Sequence, residues 1–93
     1  MKLHKEWLLK AGHDLESVKI LYQSGKDLLD ICAYHTQQCS EKSLKAFLVY
    51  KKQEIEKTHN LVFLLSQCKR FDEDFENLKK EAVFLNPFAT QFR

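Results

Sequence analysis

The densest run of reactive side chains is Tyr34-His35-Thr36-Gln37-Gln38-Cys39-Ser40-Glu41-Lys42-Ser43-Leu44-Lys45-Ala46. Tyr34, Gln38, Glu41/Lys42 and Lys45 recur there at three- and four-residue steps, so they share one side of a helix. Amides in that position can read the edge of a base, the tyrosine ring can stack, and the ammonium groups can meet phosphate. The same residues can instead form a buried amide network that fixes helix register, or a solvated face stitched by Glu41 and Lys45 at i,i+4. His35 and Cys39 also stand at i and i+4. Two ligands do not make a zinc site and a nucleophilic cysteine needs an activating neighbour, so that pair reads as packing. A second concentration is Thr58-His59-Asn60-Leu61. A histidine and an asparagine beside open N–H groups at a helix start can hold an anion, and can equally cap the helix. His4 and His13 have no partner at helical spacing and read as surface or packing residues.

The elements that must position these groups are helices. Trp7/Leu8, Ala11, Leu15, Val18 and Tyr22 predict one apolar helix face over about Leu3–Ser24, stopped by Gly25, with Asp27 placed to cap the next helix. A second helix is expected over about Asp27–Lys52. It carries a stripe of small residues, Cys32, Thr36, Cys39, Ser43 and Ala46, beside a larger stripe of Leu44, Phe47 and Leu48. Small residues let another backbone come close, so this helix is expected at the centre of a bundle or at a dimer seam. Thr58 is placed as the cap of a third helix with Leu61, Leu64, Leu65 and Cys68 inward. Asp72, Glu73 and Asp74 suit the start of a fourth, which keeps Phe71, Phe75, Leu78, Ala82 and Leu85 in register until Pro87 ends it. The tail Phe88–Arg93 is expected to form no element. No period-two alternation competes, so the fold class is all-α: an antiparallel up-and-down bundle of four helices in one domain, residues 1–93.

Composition narrows the functional classes. The chain has 93 residues, 44% hydrophobic and 30% charged, with 2 Gly and 1 Pro, which is globular and excludes collagen-like and disordered classes. The net charge of +2 is too balanced for a protein held to nucleic acid by bulk phosphate neutralisation. No apolar run is longer than Leu61–Leu65, far short of the ~20 residues that span a bilayer, and the start has no apolar h-region of a signal peptide. Gly12 and Gly25 are too far apart to build a phosphate loop. Cys32, Cys39 and Cys68 are odd in number and lack a C-x-x-C spacing, which argues for free thiols in a reducing, cytoplasmic compartment.

Taken in order, Trp7-Leu8-x-x-Ala11-x-x-Asp14-Leu15, Tyr34-His35-x-x-Gln38-x-x-Glu41-Lys42-x-Leu44-Lys45-Ala46, Lys57-Thr58-His59-Asn60-Leu61, Ala82-x-x-Leu85 and a final Arg93 resemble a prokaryotic HEPN domain from Leu3 to Arg93. The resemblance implies an up-and-down helical bundle that commonly dimerises. It also implies a frequent partner, a minimal nucleotidyltransferase, in two-gene modules of toxin–antitoxin type. Members are proposed to bind nucleotides or to act as metal-independent ribonucleases. The ribonuclease branch uses an Arg-x(4–6)-His motif. Here Arg70 is followed at that spacing by Phe75, Glu76 and Asn77, and nothing follows Arg93. Relatives usually continue past the residue matching Arg93 with another helix, so a bundle lacking its fifth helix is expected, with apolar surface near Phe88 and Phe92 open to dimerisation.

The leading expectation is therefore a binding module without catalysis of its own. It would take a nucleotide or RNA at Tyr34, His35, Gln38, Lys42, Lys45, His59 and Asn60, with no metal and no cofactor. One alternative is a ribonuclease with a degenerate site, using His35 as general base. The other is a purely structural dimerisation or adaptor domain whose polar block only fixes helix register.

Overall fold

The computed structural model describes residues 3–91, and every element in it is helical. Helix α1 spans Leu3–Gln23 and α2 spans Leu29–Tyr50. They form an antiparallel hairpin joined through Gly25, whose φ of +74° is the left-handed value that lets the chain leave α1 and reverse. Helix α3 spans Leu61–Lys69. A 3-10 segment, Glu73–Leu78, then leads directly into α4, Lys79–Leu85. One further turn, α5, covers Phe88–Gln91. Helix α1 lies along one side of α2, while α3, the 3-10 segment, α4 and α5 gather on the other. The expected all-α bundle is the observed one, with α2 at its centre.

The apolar core sits on the α3 side. Leu44, Leu48, Leu61, Leu64, Leu65, Cys68 and Ala82 are buried together, with Phe47, Val62, Phe75 and Leu85 packed against them. Cys68 is fully buried, its Sγ lies 3.6 Å from the Leu44 carbonyl, and burial pushes its thiol up to about 11. A thiol in that state is an inert packing residue. Thr36 and Ser40, also on α2, donate their hydroxyls to the carbonyls of Cys32 and Thr36 at 2.8 and 2.9 Å. Small polar residues can therefore line a crowded helix without orphaned donors.

Five local expectations change, the first at α2, whose N-cap position is Leu28 and not Asp27 and has no side-chain cap. The inward face of α1 is Trp7, Ala11, Asp14, Val18 and Leu21; Leu8, Leu15 and Tyr22 face out. A carboxylate has taken a core position because two partners await it on α2. Asn60, not Thr58, caps α3: its side chain accepts from the Phe63 N–H at 3.1 Å, while Thr58 Oγ1 accepts from the Asn60 N–H. The fourth helix is split, since Asp72 caps a 3-10 segment by accepting from Asp74 N–H at 3.0 Å, and α geometry starts only at Lys79. The tail forms a turn after Pro87 because Ala89 is buried, with α5 packed on α2. Of the expected apolar patch, Phe88 is half-buried and rests 5.8 Å from the Phe84 ring, whereas Phe92, like Arg93, lies outside the described residues.

Candidate functional site

Asp14 is the first anchor. It projects from the middle of α1 into the seam with α2 and splits its carboxylate between two partners. Oδ1 meets His35 Nδ1 at 3.0 Å and Oδ2 accepts from Lys42 Nζ at 2.5 Å. His35 and Lys42 are seven residues apart, two helical turns, so α2 presents both on the same side. Their side chains keep 28% and 23% of their surface, so each reaches solvent while its position is fixed from below. With Nδ1–H donated to Asp14, Nε2 is the basic nitrogen of the neutral ring. Tyr34 stands next to it with its ring edge-on to His35, centroids 5.2 Å apart.

Glu41 is the second anchor and it is buried. Its Oε2 accepts from Lys45 Nζ at 3.1 Å; Oε1 accepts from Gln37 Nε2 at 3.2 Å and meets His59 Nδ1 at 2.9 Å. Gln37 is wholly buried and also donates to the His59 carbonyl at 3.1 Å, while its own oxygen accepts from Gln38 Nε2 at 2.7 Å. Lys45 completes the layer with its ammonium 5.5 Å from the centre of the Trp7 ring. This network ties α1, α2 and the entry to α3 into one unit. Among the described residues, no buried side-chain nitrogen or oxygen lacks a partner. A buried polar cluster is tolerable only in that condition.

The seven expected site residues therefore fall into three settings. Tyr34, His35 and Lys42 share the part-exposed seam over Asp14. Gln38 and Lys45 are buried beneath it, both already engaged. His59, half exposed, and Asn60, exposed, sit at the start of α3, the first bound to Glu41 and the second capping. Asn60 has a further role, since Asn86 donates to its Oδ1 at 3.2 Å and accepts from Leu61 N–H at 2.8 Å, pinning α3 to the end of α4. Sequence reasoning missed Asp14, Gln37 and Trp7 as members of the cluster. The i, i+4, i+8 spacing of Gln37, Glu41 and Lys45 is the one signal that pointed to part of it.

His35 and Cys39, an i,i+4 pair expected to be packing and not metal or nucleophile chemistry, do not act together: His35 bonds Asp14, and Cys39 is half-buried with its thiol pushed up mainly by burial. That leaves Cys39 a poor nucleophile. Among the described residues, no group of three His, Cys, Asp or Glu side chains is placed to hold a metal ion. No helix among them is long and apolar enough to cross a membrane.

No curated protein and no solved structure matches the chain significantly. Comparison with protein families matches residues 4–93 to the HEPN domain, which takes in both anchors, Asp14 and Glu41, and every helix that carries their partners. On that match and on its all-helical architecture, the chain belongs to the HEPN domain family.

Proposed function

We propose that this HEPN domain is a binding module that takes a nucleotide or a stretch of RNA on the Tyr34–His35–Lys42 surface without cleaving it. One observation carries the reading: a single carboxylate, Asp14, holds an imidazole and an ammonium side by side at a part-exposed seam. Lys42 has donors to spare beyond the one given to Asp14, and His35 presents Nε2. A phosphate can meet the Lys42 ammonium beside the His35 ring while the Tyr34 ring offers a face to a base. Gln38 and Lys45 serve from below, through Gln37 and Glu41, by keeping α2 in register. His59 and Asn60 border the same layer at the start of α3. The module works in a cytoplasmic, toxin–antitoxin-like pair with a minimal nucleotidyltransferase, as a homodimer. The exposed line of Leu8, Leu15 and Tyr22 along α1 supports the dimer, because these residues repeat every seven positions on a face that α2 does not cover.

The test is titration with ATP, GTP and a short single-stranded RNA while following the His35 and His59 imidazole resonances by NMR. Saturable shifts at His35 with one ligand, weakened about tenfold in Lys42→Ala, are expected for a lost charge-assisted phosphate contact. No shift up to millimolar ligand would overturn the reading and turn attention to the nucleotidyltransferase interface. A second reading is favoured by the Asp14–His35 pair itself, because a carboxylate-oriented imidazole is the arrangement of a general base. If the domain is a ribonuclease, purified protein cleaves RNA and His35→Ala abolishes the cleavage; equal cleavage by that variant excludes His35 as the base.

A further inference from the structure

A different cluster occupies the end of the bundle where α2 terminates. Tyr50 is 62% exposed there, and Phe71, just past α3, is also exposed. Phe47 closes the group from beneath, its ring 6.3 Å from that of Phe71. The Lys51 ammonium lies among all three rings, 5.7 Å from the centres of Phe47 and Tyr50 and 6.0 Å from that of Phe71. Arg70 sets its guanidinium 5.9 Å from the Phe71 ring. Lys52 follows, exposed, with φ +60°. Among the described residues, no carboxylate forms an ion pair with Lys51, Lys52 or Arg70. Asp72, the nearest carboxylate in the chain to Phe71, spends an oxygen on the Asp74 N–H.

Exposed aromatic rings interleaved with unneutralised cations are what a flexible nucleic-acid strand requires. Each base has a π-face that can stack on a ring irrespective of its identity, and the phosphates between bases need cations at the same spacing. A duplex hides its base faces and cannot use the rings. Lys51 and Arg70 stand at the rings themselves, so these cations act locally although the net charge of the chain is only +2. Lys51 suits both states: its long exposed stem lets the ammonium rest on the rings when they are empty and move to a phosphate when a base covers them.

We propose that Tyr50 and Phe71, with Lys51, Lys52 and Arg70, form a stacking platform for single-stranded nucleic acid. It is separate from the Asp14 seam and does not rest on that site binding anything. The test is fluorescence anisotropy of labelled oligonucleotides about ten nucleotides long, the span of one small single-strand site. RNA and DNA single strands are compared with a duplex of the same sequence, over a salt series. Single strands are expected to bind and the duplex to bind far more weakly; the RNA and DNA arms show which strand is preferred. Tyr50→Ala is expected to weaken single-strand binding about tenfold, and Tyr50→Trp to restore it. Replacing all three cations (Lys51→Gln, Lys52→Asn, Arg70→Gln) is expected to reduce the slope of log K against log salt by about 2. Unchanged thermal midpoints establish that these surface variants are folded. Equal binding of duplex and single strand, or wild-type affinity in Tyr50→Ala, would overturn the proposal. So would binding that is lost in a Lys42→Ala variant shown to be folded while the Tyr50 and cation variants keep it, since that result assigns the strand to the seam.

Discussion

The two polar regions of this small bundle handle positive charge in opposite ways. At the α1–α2 seam, Lys42 and Lys45 each sit on a carboxylate that is itself withdrawn from water. At the end of α2, Lys51 and Arg70 sit on aromatic rings in the open, and Lys52 follows, exposed. A cation paired with a buried carboxylate is part of the structure: removing either partner strands the other in low dielectric. A cation over an exposed ring is held weakly and can be taken by something else. The seam is thus expected to carry stability, with function only at its part-exposed rim, and the end of α2 to carry contacts at little structural cost.

The largest expected effect tests the inner layer of the seam. Glu41→Ala strands the Lys45 ammonium and leaves Gln37 Nε2 and His59 without their acceptor, so a loss of about 3–5 kcal/mol is expected in urea denaturation. A loss below about 1 kcal/mol, the range of exposed pairs, would show that water replaces the carboxylate and that the contrast between the two regions is false. Asp14→Asn comes next. Its partners keep some contact with solvent, so a loss of about 1–3 kcal/mol is expected. The His35 resonances should move at the same time, because the group that fixes the ring has lost its charge. Stability falling with the His35 signals unmoved would separate folding from the rim chemistry.

These two residues also mark the boundary of what the sequence made legible. Helix periodicity is local, and it placed α1, α2 and α3 to within a few residues, with Gly25 at the reversal. Asp14 was not legible as a core residue, because nothing within one turn of α1 distinguishes it from a solvated carboxylate. Its partners are 21 and 28 residues away, at His35 and Lys42. The same blindness put Leu8, Leu15 and Tyr22 on the inner face. They form an apolar stripe as regular as the one that is buried, and only the position of α2 decides between them. Gln37 was read as one polar residue among many, yet it is the link between Glu41, His59 and Gln38. In the block from Tyr34 to Ala46, residue types and spacing marked where polar chemistry lies. They could not sort rim residues such as His35 and Lys42 from buried ones such as Gln38 and Lys45.

Asn60→Ala probes the junction of the seam with α3. It removes the cap bond to Phe63 N–H and the acceptor of Asn86, so a loss of about 1 kcal/mol is expected by thermal or urea unfolding. Because His59 next to it is tied to Glu41, the variant should also disturb the His59 resonance. A stability loss confined to α3, visible as faster amide exchange there with α2 unaffected, would show that the polar layer holds without the cap.

The smallest expected effect has the opposite sign and comes from the other region. Helix α2 ends with Gln53 N–H donating to the Leu48 carbonyl and Lys52 N–H to the Val49 carbonyl, both at 2.9 Å. That is the pattern in which the left-handed residue is usually glycine, and here it is Lys52. A side chain in that backbone conformation costs roughly 1 kcal/mol or more, while glycine adds about 0.4–1 kcal/mol of unfolded-state entropy. Lys52→Gly is therefore expected to stabilise the domain by about 0.5 kcal/mol net, read from the urea midpoint. Removing a cation at the seam costs stability; removing this one gains it, which is the sign expected where a lysine is not held by the fold. If Lys52→Gly instead destabilises, Lys52 has a structural partner and the end of α2 is built on the same terms as the seam. If it stabilises and also weakens single-strand binding, the strain at Lys52 is the local cost of placing a further cation next to Lys51 at the end of α2.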